Sequence, residues 1–336
     1  MPSITGVSSV DELRGPEGHG PLQSDRASTG QFGDRLFGGT ARGAGLLVIA
    51  LVTLVAVFLL SQALPSLAKD KVNFLTSTQW NVDGTPMQFG IANLLWVTML
   101  SSATAMLIAV PLGVGVALFI TQYAPTWLSR PAASLVDLLA AVPSIVYGLW
   151  GLQVLGSHMD GIQAALKGLF GWFPLFKDTG VGAASTILTV AVVLSIMVLP
   201  IVTALSREVF AQTPTSHTDA AWALGATRWE MIRATVLPFG KPGVISASML
   251  GLGRALGETV AVTIILSALA NNTPWSWSMF NGGETFASKI ANNAAEFDSP
   301  RKAGAFMAAG LVLFLLTFVV NAIARVVIER TKAFVE

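Results

Sequence analysis

Six stretches of this chain are nearly uninterrupted apolar sequence, separated by segments rich in polar residues, Gly and Pro. They run over Ala44–Leu64, Leu94–Ile120, Ala132–Leu155, Ala183–Leu205, Val244–Ala270 and Gly304–Ile328, each 21 to 27 residues long. About 20 apolar residues, at a 1.5 Å rise each, cross a hydrocarbon core of roughly 30 Å. Backbone groups in lipid must pair within their own segment, so the pattern predicts six transmembrane helices. Pro111 and Pro143 fall inside the second and third stretches and should bend them, because each removes a helix hydrogen bond. The tail at 1–42 is rich in Gly, Ser, Pro and charge and reads as disordered, leaving 43–336 as the membrane domain. Ser66-Leu67-Ala68 resembles a cleavage site, but the apolar run before it exceeds a signal sequence of roughly 7–15 apolar residues. The first stretch is therefore expected to remain as a span.

Composition agrees with a lipid-facing surface. The 336 residues are 53% hydrophobic and 12% charged, against about 25% charged in an average soluble domain. The net charge of +1 gives no field to attract nucleic acid. With no cysteine and three scattered histidines, disulfides, thiolate metal sites and a histidine-rich metal centre are excluded. Six spans put both termini on one side. That side carries twelve Lys and Arg residues against seven on the other, which predicts cytoplasmic termini. On the outer side, Gly161–Phe176 and the segment around Trp275, Trp277 and Phe280 read as interfacial anchors, and the second half of the last outer loop as a short helix. No Gly-rich phosphate loop of the Walker type is present, so ATP is not bound here by that route.

The cytoplasmic loop 206–243 has its own pattern. Ser216 is a candidate cap for a short helix through Asp219, Ala220, Ala221, Trp222, Ala223 and Leu224, which Gly225 would end. Thr227 with Glu230 forms a capping box for a second helix, which Leu237-Pro238 should terminate. The product is a helical elbow whose small residues Ala220, Ala221 and Gly225 admit close approach by another backbone.

Arg254 stands about ten residues into the fifth stretch, or ~15 Å deep. An arginine at that depth costs at least ~2.5–3.5 kcal/mol, and charges so placed are functional candidates. Glu258, four residues on, is expected on the same helical face as its partner. A guanidinium fork suits a tetrahedral oxyanion, so Arg254 is a candidate to meet an anion in the pathway, with Glu258 holding or releasing it. A purely structural ion pair is the alternative. Gly251, Gly253 and Gly257 would admit a helix or anion to the backbone. Asp137, near the cytoplasmic boundary, reads as structural.

Asp219-Ala220-Ala221, Gly225 and Leu237-Pro238 resemble the EAA loop of ABC importer permeases, with Asp219 in place of the usual Glu and Thr235 in place of an Ile. Ala109–Gly113, Leu139–Gly148 and Leu252–Thr259 are similar to the phosphate-specific (Pst) permeases, of PstC type rather than PstA type. The resemblance implies an all-α membrane protein with the six-helix bundle of type I ABC importers. It further implies coupling to an ATPase through Asp219, Ala220, Ala221 and Gly225, and a phosphate pathway at Arg254 and Glu258. Implied partners are a PstA-type second permease, a PstB-type ATPase pair carrying ATP and Mg, and a PstS-type extracytoplasmic phosphate-binding protein. No cofactor and no catalysis belong to this chain on that reading. A permease for another oxyanion, a proton-coupled carrier using Glu258 as relay, and a non-transporting scaffold are the competing readings.

Overall fold

A computed structural model describes residues 29–84, 86–269 and 273–332. The chain divides into two units, 1–55 and 56–336. Twelve α-helices account for most of the described residues: α1 (Thr29–Leu67), α2 (Ala92–Leu118), α3 (Thr126–Ala140), α4 (Ser144–Trp150), α5 (Gly156–Phe170), α6 (Ile187–Ala211), α7 (Thr215–Ala223), α8 (Arg228–Met231), α9 (Leu237–Gly257), α10 (Val260–Ile265), α11 (Phe286–Asn292) and α12 (Pro300–Lys332). A two-stranded antiparallel hairpin, β1 (Trp80–Asn81) with β2 (Gln88–Phe89), pairs Trp80 with Phe89 between α1 and α2.

Among the described residues, four helices are long and apolar enough to span a membrane: Arg35–Leu67, Ala92–Tyr123, Ile187–Ala211 and Pro300–Arg330. The expected first, second, fourth and sixth spans thus appear as continuous helices. Of the tail at 1–42, residues 1–28 lie outside the described residues, while 29–42 are the first turns of α1. Extending a helix that the apolar run has nucleated costs far less than starting one, which accounts for the earlier start.

The third and fifth spans differ from expectation. Thr126–Ala140 and Ser144–Phe170 are long and apolar enough to span only as a pair, bent by 90°. The break falls at Pro143, which adopts φ −60°, ψ 140°. Proline disfavours a helical conformation in the residue before it, so α3 stops there and a new helix begins. Tyr147 fixes the bend, its hydroxyl donating to the Leu139 carbonyl at 2.9 Å. Pro111, by contrast, lies within an unbroken α2. The fifth stretch is divided at Glu258, whose backbone is extended at φ −67°, ψ 125°, between α9 and α10. Its expected last residue, Ala270, lies outside the described residues.

α6 is the centre of the bundle, with 72% of its most apolar window buried, against 0% for α1 and 6% for α12. Val97, Tyr147, Val190, Val193, Leu194, Val262 and Ile265 form the main core between α2, α4, α6 and α10. Close approach requires glycine at Gly148, where a Cβ would lie 3.0 Å from the Ala261 Cα of α10. The faces left exposed on α1 and α12 are apolar, as lipid contact requires.

In the loop before α11, residues 278–283 are knitted into the fold rather than resting at an interface. Met279 N–H donates to Leu175 O at 2.8 Å, and Leu188 N–H to Met279 O at 2.9 Å. Phe280 is buried against Phe176, which corrects its expected role as an anchor; Trp277 remains 53% exposed. The expected short helix is α11, opened by a capping box from Thr285 to Ser288.

Candidate functional site

The elbow is built largely as its residues dictate, with two differences. Gly225 sits at φ +79°, a conformation that disfavours any Cβ. Its N–H donates to Trp222 O at 2.9 Å, and Ala226 N–H to Ala221 O at 3.1 Å. This pair of bonds is the Schellman ending that satisfies the last carbonyls of α7. The Thr227–Glu230 capping box is formed: Thr227 N–H and hydroxyl donate to the Glu230 carboxylate at 2.8 and 2.7 Å. Those two bonds, the backbone one first, hold the Glu230 carboxyl below the usual carboxylate range. Ser216 does not cap α7; the helix starts one residue earlier, with Pro214 at the cap position. A β-region proline is already set for that entry, and no side-chain cap bond is made.

The second difference has more consequence. Leu237-Pro238 does not end the second helix. A π-helical turn over Ile232–Val236 joins α8 directly to α9, and Pro238 falls in the first turn of α9. The wider π-helical turn before it accommodates the proline ring and its missing N–H. Thr235 lies in that turn, its hydroxyl donating to Met231 O at 2.8 Å. One rod therefore runs from Thr227 to Gly257, carrying Arg254 near its far end.

The elbow's root is fixed and its outer face is free. Phe210, Met231, Ile232 and Val236 are buried together with Ala117 of α2, and Ala221 packs against them. The Arg228 guanidinium lies 5.5 Å from the Tyr123 ring centroid at the end of α2. Asp219, Ala220 and Gly225 are exposed. So are Trp222 at 44%, Leu224 at 89% and Trp229 at 55%. Sequence reasoning did not single out these three as a contact face. The signal was present, as large apolar side chains in an otherwise polar loop between two apolar stretches.

Arg254 and Glu258 are not brought together. Among the described residues Arg254 forms no ion pair. The helix ends before Glu258, so the i, i+4 relation is lost, and the Glu258 carboxylate accepts from Ala261 N–H of α10 at 3.3 Å. Arg254 lines an open groove of ≈ 530 Å³ with Ile201 of α6, Ser246, Met249, Leu250 and Gly253 of α9, and Asn321 of α12. Its Nε is buried without a hydrogen-bond partner among the described residues. Gly251 packs on Val198 of α6, whereas nothing lies within 4 Å of where a Cβ would stand on Gly253 or Gly257. Asn321 and Ser246 were missed in the sequence, although an Asn inside an apolar stretch is itself a signal. Asp137 pairs with Arg207 at 3.5 Å, tying α3 to α6.

Residues 109–333 match the family described as binding-protein-dependent transport system inner membrane component. The chain belongs to that family, the membrane permeases of ABC importers, and works within a transporter with other subunits. Among its relatives is the phosphate transport system permease protein PstC 2 of Mycobacterium tuberculosis, 54% identical over 298 residues, covering 88% of this chain and 91% of that protein. The phosphate transport system permease protein PstC of Mesorhizobium japonicum is 38% identical over 305 residues, covering 89% of this chain and 91% of that protein. A subunit of the MetNI methionine ABC transporter, solved in inward-facing conformations, is similar with a TM-score of 0.49 at 15% identity, covering 72% of this chain and 94% of that one.

Proposed function

We propose that this chain carries inorganic phosphate into the cell as one of two permease subunits, with Arg254 as the pathway residue that meets the anion. The observation that carries this reading is the Arg254 guanidinium itself: its Nε is buried without an acceptor, in a groove open beside Gly253. The guanidinium that lines this groove has no ion-pair partner among the described residues, and an oxyanion arriving there supplies the counter-charge. The names of the relatives point to phosphate as that oxyanion.

The chain on this reading is a multi-pass protein of the bacterial cell membrane with both termini in the cytoplasm. A PstA-type permease completes the pathway, two PstB-type ATPases bind ATP and Mg below, and a PstS-type protein delivers phosphate above. ATP closes the ATPase pair, which grips Asp219, Ala220, Ala221 and Gly225. The rod from Thr227 to Gly257 carries that movement to Arg254, some ~40 Å away at 1.5 Å per residue. Glu258 sits at the break where α9 and α10 can change their angle, so it acts on the pathway as a hinge group. No covalent chemistry occurs in this chain.

ATP-dependent uptake of labelled phosphate into vesicles holding the assembled transporter, with sulfate as competitor, tests the reading. Uptake should need ATP and resist excess sulfate. Equal competition by sulfate would point to a general oxyanion permease. Uptake that survives ATP depletion but collapses with the proton gradient would establish a proton-coupled carrier instead.

A further inference from the structure

A second cavity is lined by residues of neither the elbow nor the Arg254 groove, and the proposed pathway does not use it. It is ≈ 60 Å³, bounded by Trp80 of β1, Asn93 of α2, the segment Thr273–Ser276, Asn281, Glu284 and Lys289 of α11. At ~10–15 Å³ per water-sized group, this holds about four to six such groups. That is the size of one tetrahedral oxyanion with five heavy atoms. Lys289 and Glu284 pair at 2.7 Å with side chains only 17% and 12% exposed. Asn292 donates to the other Glu284 oxygen at 3.1 Å, and Lys289 also lies 5.8 Å from the Trp80 ring centroid.

We propose that this cavity is an outer holding site for a protonated oxyanion, and that Glu284 makes it selective for phosphate over sulfate. The inference rests on the phosphate reading above and adds a second site to it. Lys289 has three N–H donors and uses one on Glu284, leaving others for an anion. The Asn93 and Asn281 amides border the same space and can donate as well. An ionised Glu284 only accepts hydrogen bonds. Phosphate at neutral pH keeps at least one P–OH to donate to it. Sulfate has no proton to give, so its oxygens would face the carboxylate oxygens in a largely buried site and be repelled.

The test is tryptophan fluorescence of the assembled transporter, without binding protein, titrated with inorganic phosphate or sulfate at matched ionic strength. Trp80 and Trp275 border the cavity and report its occupancy. A saturable response to phosphate, at least tenfold weaker with sulfate, is expected. K289Q should weaken it tenfold or more, and E284Q should let sulfate compete. N93D leaves the ion pair intact and should also weaken phosphate binding, which covers the case that K289Q fails to fold. R254Q should leave the response unchanged. No saturable response, an equal response to sulfate, or a response kept in K289Q and N93D but lost in R254Q would overturn the proposal. Failure of the phosphate reading shows separately, as loss of ATP-driven phosphate uptake in the unaltered transporter.

Discussion

Arg254 and Glu258 look like a helical pair in the sequence and are separated in the structure by a single change of backbone conformation. The extended ψ of Glu258 ends α9 and turns its carboxylate onto the Ala261 N–H, leaving Arg254 to face its groove alone. Spacing rules assume an unbroken helix, and nothing in Leu252–Thr259 except its three small or flexible residues hinted at a break. Capping makes a specific prediction. E258Q keeps a carbonyl acceptor for Ala261 and should hold the fold and most transport. E258A should destabilise the start of α10 by about 1 kcal/mol and reduce uptake at unchanged ATPase binding. A thermal unfolding series beside an uptake assay checks both; equal damage from E258Q and E258A would show that the charge, not the cap, matters. The EAA-like residues were legible for the opposite reason. Gly225 at positive φ and the Thr227–Glu230 box are local devices whose energetics depend on a few neighbouring residues.

At the scale of elements, long apolar periodic runs were read correctly wherever one helix crosses unaided, as with α2, α6 and α12. Besides the break at Glu258, the differences sit at prolines. Pro143 produces a 90° turn rather than a bend, so residues 132–140 belong to α3 and the passage that follows runs over Ser144–Phe170. Pro238 does the reverse, fitting the first turn of α9 after a π-helical turn instead of stopping the helix. Whether a proline ends a helix depends on how the carbonyls before it are satisfied, which sequence alone does not specify. On the proposed reading, the continuity of α8 with α9 makes the Gly225 turn the joint at which external force would enter. A β-branched side chain at φ +79° costs at least ~1–2 kcal/mol. G225V should therefore release most of the ATPase on co-purification, and G225A less. Undiminished co-purification with G225V would show that the ATPase is held elsewhere.

At the scale of the whole molecule, α6 is the most buried of the four described spans, and the exposed faces of α1 and α12 are apolar. The exposed Trp222, Leu224 and Trp229 mark one end, and the exposed Trp172 and Trp277 belong to segments expected at the other. Because the chain has no cysteine, single introduced thiols report sidedness without background. L224C should react with a membrane-impermeant maleimide only from the cytoplasmic side, and be shielded when the ATPase is bound. W172C should react only from outside. Labelling of L224C from outside would invert the topology and remove the elbow from the ATPase.

The account turns on a guanidinium that handles the anion at the end of a rod driven from the cytoplasm. ATP-driven accumulation of labelled phosphate by transporters carrying R254Q tests it most directly, with subunit assembly measured on the same preparation. The expected result is a fully assembled complex that accumulates no phosphate above background. Accumulation at the rate of the unaltered transporter would contradict the account.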